Sequence, residues 1–384
     1  MPSNFAALPT SIFESMSGLA RQHGAVNLGQ GFPDFGWPDD VVARAADGLL
    51  HGSNQYAPSR GLPELREAVA EFYRRRQGVE IAPAAVTVTS GATEAIASTI
   101  LALVSPGDEV VLFQPLYDAY APMVERAGGS ARPVSLTPPD WRVTAEALDG
   151  AFTQRTRLVV FNNPHNPSAR VFDAQELALV AERAAASDAL ILSDEVWEEL
   201  VFDGRRHRPL AAIPGMAERV VKIGSAGKIF SLTGWKIGWA IAPPSLAQTI
   251  ANAHQYVTFA SAPNLQAAVA YGLAKDDAYF TAMQERFGAA RDWLSQALAA
   301  EGFAVLTTEG TYFLNIDLAA SGLEVDDVSF CTRAVQECGV AAIPLSPFYL
   351  EDPVRSAVRL CFAKQRETLE RGVQGLARAR RLFA

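Results

Sequence analysis

The sequence predicts an α/β fold: a three-layer α/β/α large domain around a mainly parallel seven-stranded sheet, with a smaller α+β domain. Two observations carry this. From residue 86 to 242, short apolar β-branched runs alternate with helical stretches, the order that crossover connections impose on a parallel sheet covered on both faces. Past Gly302, short strands and helices alternate again after an Ala- and Leu-rich helical region, and 384 residues leave room for one large core and a second, smaller one.

Taken in order, Ser11 to Ala20 reads as a short helix through Ile12, Met16 and Leu19, and Asn27 to Asp34 as a turn-rich loop. After the loop Asn54 to Gly61, a helix opens with Pro63 and carries Leu65, Val69 and Phe72 inward, with Arg74 to Arg76 on a solvated face. The predicted strands are Val86 to Ser90, Glu109 to Phe113, Ala131 to Leu136, Arg157 to Asn162, Ala189 to Asp194, Val220 to Gly224 and Ile237 to Ala242. A long helical region follows, through Ala270, Ala289 and Leu298. Beyond it, strands at Phe303 to Leu306, Tyr312 to Ile316 and Val358 to Phe362 alternate with helices near Val328 to Glu337 and Thr368 to Leu382. The basic run Arg378 to Arg381 reads as the exposed end of the last helix. This divides the chain into an N-terminal arm with part of the small domain (1–40), a large domain (41–275) and a C-terminal small domain (276–384).

A net charge of −9 argues against a nucleic-acid or acidic-membrane partner. Cys331, Cys338 and Cys361 have no CxxC spacing and read as reduced thiols, no metal-ligand pattern is present, and no apolar run is long enough to span a bilayer. The first residues lack a basic start followed by a long apolar run, so a cytoplasmic protein is expected.

Chemistry concentrates in a few segments. Gly224 to Gly238 places Lys228 among small and apolar residues, where burial lowers an amine's pKa and frees it to attack a carbonyl. Lys236 follows beyond a glycine, and together the two cations suit a phosphorylated aldehyde. Gly91, Ala92 and Thr93 open a helix directly after a strand, an anion site made of free N–H groups and the helix dipole. Tyr117, after the next strand, can stack on a flat heterocycle. Asn163 and Asn166 each precede a proline, which holds them extended and can aim an amide into a pocket. Asp194 ends a buried strand and needs a positive partner, and Arg359 in a short apolar strand suits a carboxylate. Taken singly, Thr93 and Asp194 also read as helix N-caps, Tyr117 and Tyr56 as ordinary packing, and Arg359 as a solvent-facing strand residue.

The segments Asn27-Leu-Gly-Gln-Gly-Phe-Pro-Asp34, Ser90-Gly-Ala-Thr-Glu94, Asn162-Asn-Pro-His-Asn-Pro167, Ser193-Asp-Glu-Val-Trp197, Ser225-Ala-Gly-Lys-Ile-Phe-Ser-Leu-Thr-Gly-Trp-Lys236 and Arg359-Leu-Cys-Phe-Ala-Lys364 occur in one order. In that order the chain resembles the class I (fold type I) aminotransferases, within them the kynurenine and methionine aminotransferase group. The resemblance implies an aspartate aminotransferase-like fold and pyridoxal 5'-phosphate as cofactor. It implies that Lys228 holds that cofactor as an internal aldimine and moves the α-proton. Gly91, Ala92, Thr93, Ser225 and Lys236 would take the phosphate, with Tyr56 crossing a homodimer interface to the partner's phosphate. Tyr117 would lie on the ring, Asp194 opposite its nitrogen and Asn166 on its phenolic oxygen. Trp197 stands where the family usually has a tyrosine, and an indole N–H donates without ionising. Gly31 lies in the segment that reaches the substrate, and Arg359, assisted by Asn163, would grip its carboxylate.

The expected activity is ping-pong transfer of an amino group from methionine, an aromatic amino acid, kynurenine or glutamine to a 2-oxo acid. N-succinyl-diaminopimelate transamination and cysteine-S-conjugate β-elimination are the alternatives on the same cofactor. A regulator built on the same body ranks last, since the family motifs start by Asn27.

Overall fold

The computed structural model describes residues 8–383. The first seven residues of the expected N-terminal arm lie outside the described residues. A first short strand, β1 (Val26–Asn27), belongs with the C-terminal part of the chain. The central sheet consists of β2 (Val86–Ser90), β3 (Glu109–Gln114), β4 (Ser130–Ser135), β5 (Thr156–Asn162), β6 (Leu190–Asp194), β7 (Val220–Ser225) and β8 (Ile237–Ile241). All seven were expected, and their ends fall within one residue of the expected ones. The spatial order is β2-β8-β7-β6-β5-β3-β4.

Pairing from β4 through β7 is parallel, whereas β8 runs antiparallel to both β2 and β7. The reversal follows from the short connection between β7 and β8, which ends on Lys236 in the left-handed region (φ 54°) and leaves no room for a full crossover. It has a consequence for position: the start of β8 lies beside the ends of its neighbours, with Ile237 opposite Ser90 and Gly238 opposite Ser225. Lys236 therefore joins the edge where the parallel strands finish.

Residues in β3, β6 and β7 are buried throughout, as strands covered on both faces require. The expected long helical region is three helices, Pro244–Val257, Pro263–Leu273 and Asp277–Ala300. Pro263 starts the second at its first position, and the Asp276 side chain caps the third by accepting from the Tyr279 amide. Arg74 to Arg76 are not all solvated. Arg74 pairs with exposed Glu71, but Arg75 donates to the Leu273 carbonyl at 2.7 Å and Arg76 to Glu199 at 2.7 Å, because the helix Pro63–Gln77 lies against the chain around Leu273. At the C-terminus, Arg378 and Arg380 bond the Cys338, Gly302 and Ser321 carbonyls, so that run also ties the last helix down.

The C-terminal part contains β9 (Ala304–Val305), β10 (Phe313–Asp317), β11 (Val340–Ala341), β12 (Ile343–Pro344) and β13 (Ala357–Cys361). Four of them form an antiparallel sheet in the order β12-β13-β10-β9. β1 pairs with β11, which attaches the N-terminal segment to this part of the chain. The three cysteines are free and buried. No helix among the described residues is long and apolar enough to cross a membrane.

One buried charge cluster lies within the large sheet's packing. Lys222 of β7 bonds Glu195 and, at 2.6 Å, Glu198, while His207 bonds Glu195 at 2.6 Å. Burial alone would raise the Glu195 carboxyl, but Lys222 and His207 hold it down at about 2. The Lys222 ammonium thus balances the acidic groups around it.

Gly238 controls how closely β8 approaches the helix that begins at Gly91. A Cβ there would fall 2.7 Å from Ala92 N and Gly91 C, both main-chain atoms that cannot swing aside. Gly238→Ala should lower unfolding stability by about 1–3 kcal/mol in urea titration. A loss below about 0.5 kcal/mol, the range of a neutral surface change, would contradict this packing account.

Candidate active site

The strand ends and the start of β8 open onto a cavity of about 330 Å³, within the range of small-molecule sites. Gly91, Ala92 and Thr93 line it where the helix Gly91–Leu103 begins. Ser90 provides no side-chain cap, so the amides of that first turn face the cavity without a side-chain acceptor among the described residues. Gly91 has φ +73°, and a Cβ on it would lie 3.1 Å from Lys236 Nζ. Lys236 and Ser225 line the same corner. The result is a positive, donor-rich cradle for a compact anion.

Across the cavity, Asp194 ends β6. Tyr120 donates to its Oδ2 at 2.5 Å, and the Val196 amide to Oδ1 at 3.4 Å. Asn162 Nδ2 and the Asn163 amide both donate to its main-chain carbonyl, at 2.8 and 3.0 Å. Burial pushes the Asp194 carboxyl up to about 6, although Tyr120, the Val196 amide and the charge of Lys228 pull the other way. No cation is hydrogen-bonded to it among the described residues. A buried carboxylate without an ionic partner favours a positively charged ring atom opposite it.

Lys228 projects from the single turn Ala226–Ile229 that follows β7. Its Nζ donates to Tyr312 Oη at 3.0 Å and lies 4.6 Å above the Trp197 ring. Burial pushes the amine down to about 8, with Arg359 and Lys236 adding to the effect against Cys361 and Asp194. Near neutrality a useful fraction of this lysine is therefore the unprotonated nucleophile. Trp197 meets Tyr312 edge to face at 4.4 Å, so it walls the amine while offering it a π face.

Arg359 of β13 is 1% exposed. Its Nη1 donates to Asn166 Oδ1 at 2.8 Å and its Nη2 to the Gly29 carbonyl at 3.1 Å, while its Nε has no partner. The guanidinium lies 3.8 Å from the Phe313 ring centre. Burial pushes it down to about 10, still charged at neutral pH. A buried, incompletely bonded guanidinium facing a cavity is suited to pairing with a carboxylate. Because Asn166 Oδ1 is engaged by Arg359, the amide's N–H groups are the part of that side chain left to donate. Both Asn163–Pro164 and Asn166–Pro167 are cis.

Of the residues singled out in the sequence, Lys228, Gly91, Ala92, Thr93, Tyr117, Asn166, Asp194, Trp197, Ser225, Lys236, Gly31 and Arg359 line this one cavity. Two do not. Asn163 is turned to structural use, its Oδ1 accepting from the Phe172 amide at 3.1 Å. Tyr56 is 87% exposed, its ring against Phe259, away from the cavity of its own chain. Neither Tyr120, three residues beyond Tyr117, nor Asn162, which opens one of the family-like segments, carries a role in the sequence. Asn162 also accepts from the Asn166 amide at 2.7 Å, so one side chain links the positions of Asp194 and Asn166. Nor does the sequence mark a role for Phe32, which lines the cavity, or for Phe13 and Phe313, whose ring centres lie 5.0 and 3.8 Å from the Arg359 guanidinium.

Comparison with known proteins agrees with this geometry. The family model described as aminotransferase class I and II matches residues 23–376. The chain is 43% identical over 380 residues to a probable N-succinyldiaminopimelate aminotransferase of Mycobacterium tuberculosis, covering 96% of each chain. To the methionine aminotransferase of Escherichia coli it is 42% identical over 368 residues, covering 96% of this chain and 95% of the relative. The solved structure of a methionine aminotransferase from Escherichia coli superimposes with a TM-score of 0.94 at 41% identity, covering 98% of this chain and 99% of that one.

Tyr120→Phe isolates the hydroxyl on Asp194. Because the folded carboxyl titrates above its ordinary value, stability falls as pH rises from about 4 to about 6, and losing the donor should raise the folded value further. The substitution should cost about 1 kcal/mol at pH 5, where the acid is mostly neutral, and about 1.5–3 kcal/mol at pH 8, where it is charged. Equal costs at the two pH values in urea unfolding would contradict the assignment.

Proposed function

Because the chain belongs to the class I and II aminotransferases, we propose that this cavity holds pyridoxal 5'-phosphate and transfers the amino group of an uncharged or aromatic L-amino acid to a 2-oxo acid. The observation that carries the proposal is the meeting of Lys228, Asp194, Arg359 and the Gly91–Thr93 cradle with Lys236 in one cavity. The free first-turn amides and Lys236 fit a phosphate, and the uncompensated Asp194 fits a protonated ring nitrogen. When bound, the cofactor supplies an electron-accepting ring that stabilises negative charge at the substrate α-carbon and stores the amino group between the two half-reactions.

This chain's residues supply the rest. Lys228 would hold the cofactor's aldehyde carbon and, once released, move the proton at the substrate α-carbon. Asp194 would keep the ring nitrogen protonated, with Tyr120 holding its carboxylate and Asn162 its main-chain carbonyl in place. Tyr117 would cover the ring, and Asn166 would donate to its phenolic oxygen with the N–H groups that Arg359 leaves free. Trp197 can donate there but cannot ionise. Arg359 would orient the substrate carboxylate and so fix the α-hydrogen beside Lys228.

Charge accounting favours a substrate with an uncharged side chain. Lys228, Lys236 and Arg359 are the three cations lining the cavity, and each has a role in handling cofactor or α-carboxylate. Phe13, Phe32, Ile96 and Phe313 are among the apolar residues that line the cavity, and a thioether or aromatic side chain suits them better than the distal carboxylates of N-succinyl-diaminopimelate. We further propose a homodimer, because Tyr56, Tyr256, Val257 and Phe259 form an exposed apolar group at the loop that carries Tyr56. The division at residues 40 and 275 is retained as the domain boundary, in keeping with β1 joining the C-terminal part. Three free buried thiols support a reducing, cytoplasmic setting.

Mixing the protein with pyridoxal 5'-phosphate, reducing with borohydride and mapping the product by mass spectrometry should place the pyridoxyl group on Lys228. A label elsewhere, or none, refutes the cofactor assignment. Lys228→Ala should reduce transamination by at least about 10²-fold. In steady-state assays, kcat/KM for methionine or an aromatic amino acid should exceed that for N-succinyl-diaminopimelate by at least about tenfold, the worth of roughly one unpaired ionic group. The reverse order would assign the chain to the second substrate.

A further inference from the structure

We propose that Tyr312 is a positioning residue for Lys228, and that its hydroxyl links the amine to the seating of the 27–34 segment through the Gly31 carbonyl. The tyrosine is fully buried. Its Oη donates to the Gly31 carbonyl at 2.6 Å and accepts from Lys228 Nζ at 3.0 Å. A phenol has one proton. With that proton committed to Gly31, the hydroxyl can only accept from the lysine, and the amine's lone pair stays directed elsewhere. If the Gly31 carbonyl withdrew, the same proton could turn onto the amine and occupy the lone pair that the chemistry needs.

The carbonyl is held in place from both sides. Asn27 Oδ1 accepts from the amides of Gly29 and Gln30, each at 2.9 Å, and Arg359 Nη2 holds the Gly29 carbonyl. On the far side, Lys364 Nζ donates to the Phe32 carbonyl at 2.7 Å, and the Asp34 amide bonds the Ala363 carbonyl at 3.2 Å. Gly31 cannot be replaced easily, since a Cβ on it would lie 2.6 Å from Phe313 Cζ. Trp197 and Phe313 pack edge to face on the Tyr312 ring and fix its direction. Gly31 and Phe32 both line the cavity, so an occupant that shifts this segment acts on Lys228 through two hydrogen bonds.

The inference rests on Lys228 being the reacting amine, but its test needs neither cofactor nor turnover. The full chain without added cofactor is pulse-labelled with acetic anhydride across pH, and the Lys228 peptide is followed by mass spectrometry with the Lys236 peptide as internal control. The other charged or titratable groups around Lys228 are Asp194, Arg359, Cys361 and Lys236, and Tyr312→Phe leaves all of them and the aromatic ring in place. Losing an acceptor for the charged amine should move the Lys228 inflection down from about 8 by about one unit, with the melting temperature nearly unchanged. Lys364→Met, which loosens the segment, should lower the high-pH labelling rate at Lys228 severalfold in the parent and have little further effect in Tyr312→Phe. An unmoved inflection in Tyr312→Phe, or a Lys364→Met effect of the same size in both backgrounds, overturns the proposal. Either result leaves the borohydride mapping on Lys228 as a separate test of the aminotransferase reading.

Discussion

Arg359 is buried in the small antiparallel sheet, and its guanidinium joins three parts of the chain that are far apart in sequence. One nitrogen bonds Asn166 in the loop after β5 of the large sheet, another bonds Gly29 of the N-terminal segment, and the base of the group belongs to β13. Burying a guanidinium is costly unless its donors are used. The two bonds it makes hold the small sheet against the large one, and Nε remains without a partner at the cavity. Asn315 repeats the link from β10 by donating to the Pro167 carbonyl at 2.9 Å. The joint between the sheets and the proposed carboxylate receptor are thus one side chain.

Around that joint, burial shifts opposite charges in opposite directions. The Asp194 carboxyl moves up to about 6 and the Lys228 amine down to about 8, each mainly because the charged form loses water. The two groups are brought toward the pH range in which a proton can be exchanged without a large penalty. Each then has one tyrosine hydroxyl as a neighbour: Tyr120 donates to Asp194 and lowers it, and Tyr312 accepts from Lys228. The antiparallel turn of β8 adds Lys236 to the same edge, which a wholly parallel sheet would have sent to the opposite side.

Much of this was legible in the residues. The seven strands could be read because most are short β-branched runs bounded by turns, and the family motifs brought Lys228, Asp194, Asn166 and Arg359 forward. The direction of β8 was not legible, since hydrophobic pattern is the same for a strand run either way. Asn162 and Asn163 are adjacent and chemically identical, and only the register at the end of β5 decides that the first links Asp194 to Asn166 while the second caps Phe172. Tyr120, Tyr312 and Phe313 were invisible for a different reason: a buried aromatic near a strand end looks like core until its hydroxyl or ring is seen to meet a charged group. Arg75 and Arg76 looked solvated because the helix bearing them carries no mark of the Leu273 turn that packs on it.

The most direct measurement of the central claim is a single half-reaction: cofactor-loaded protein mixed with excess methionine, or the best donor found, in the absence of any 2-oxo acid, with the released oxo acid counted per chain. The account predicts about one equivalent per chain, after which release stops until an acceptor is added, as ping-pong transfer requires. No release with any amino acid donor, or continuous release of pyruvate and ammonia from a β-substituted donor with no stoichiometric stop from the others, would contradict it.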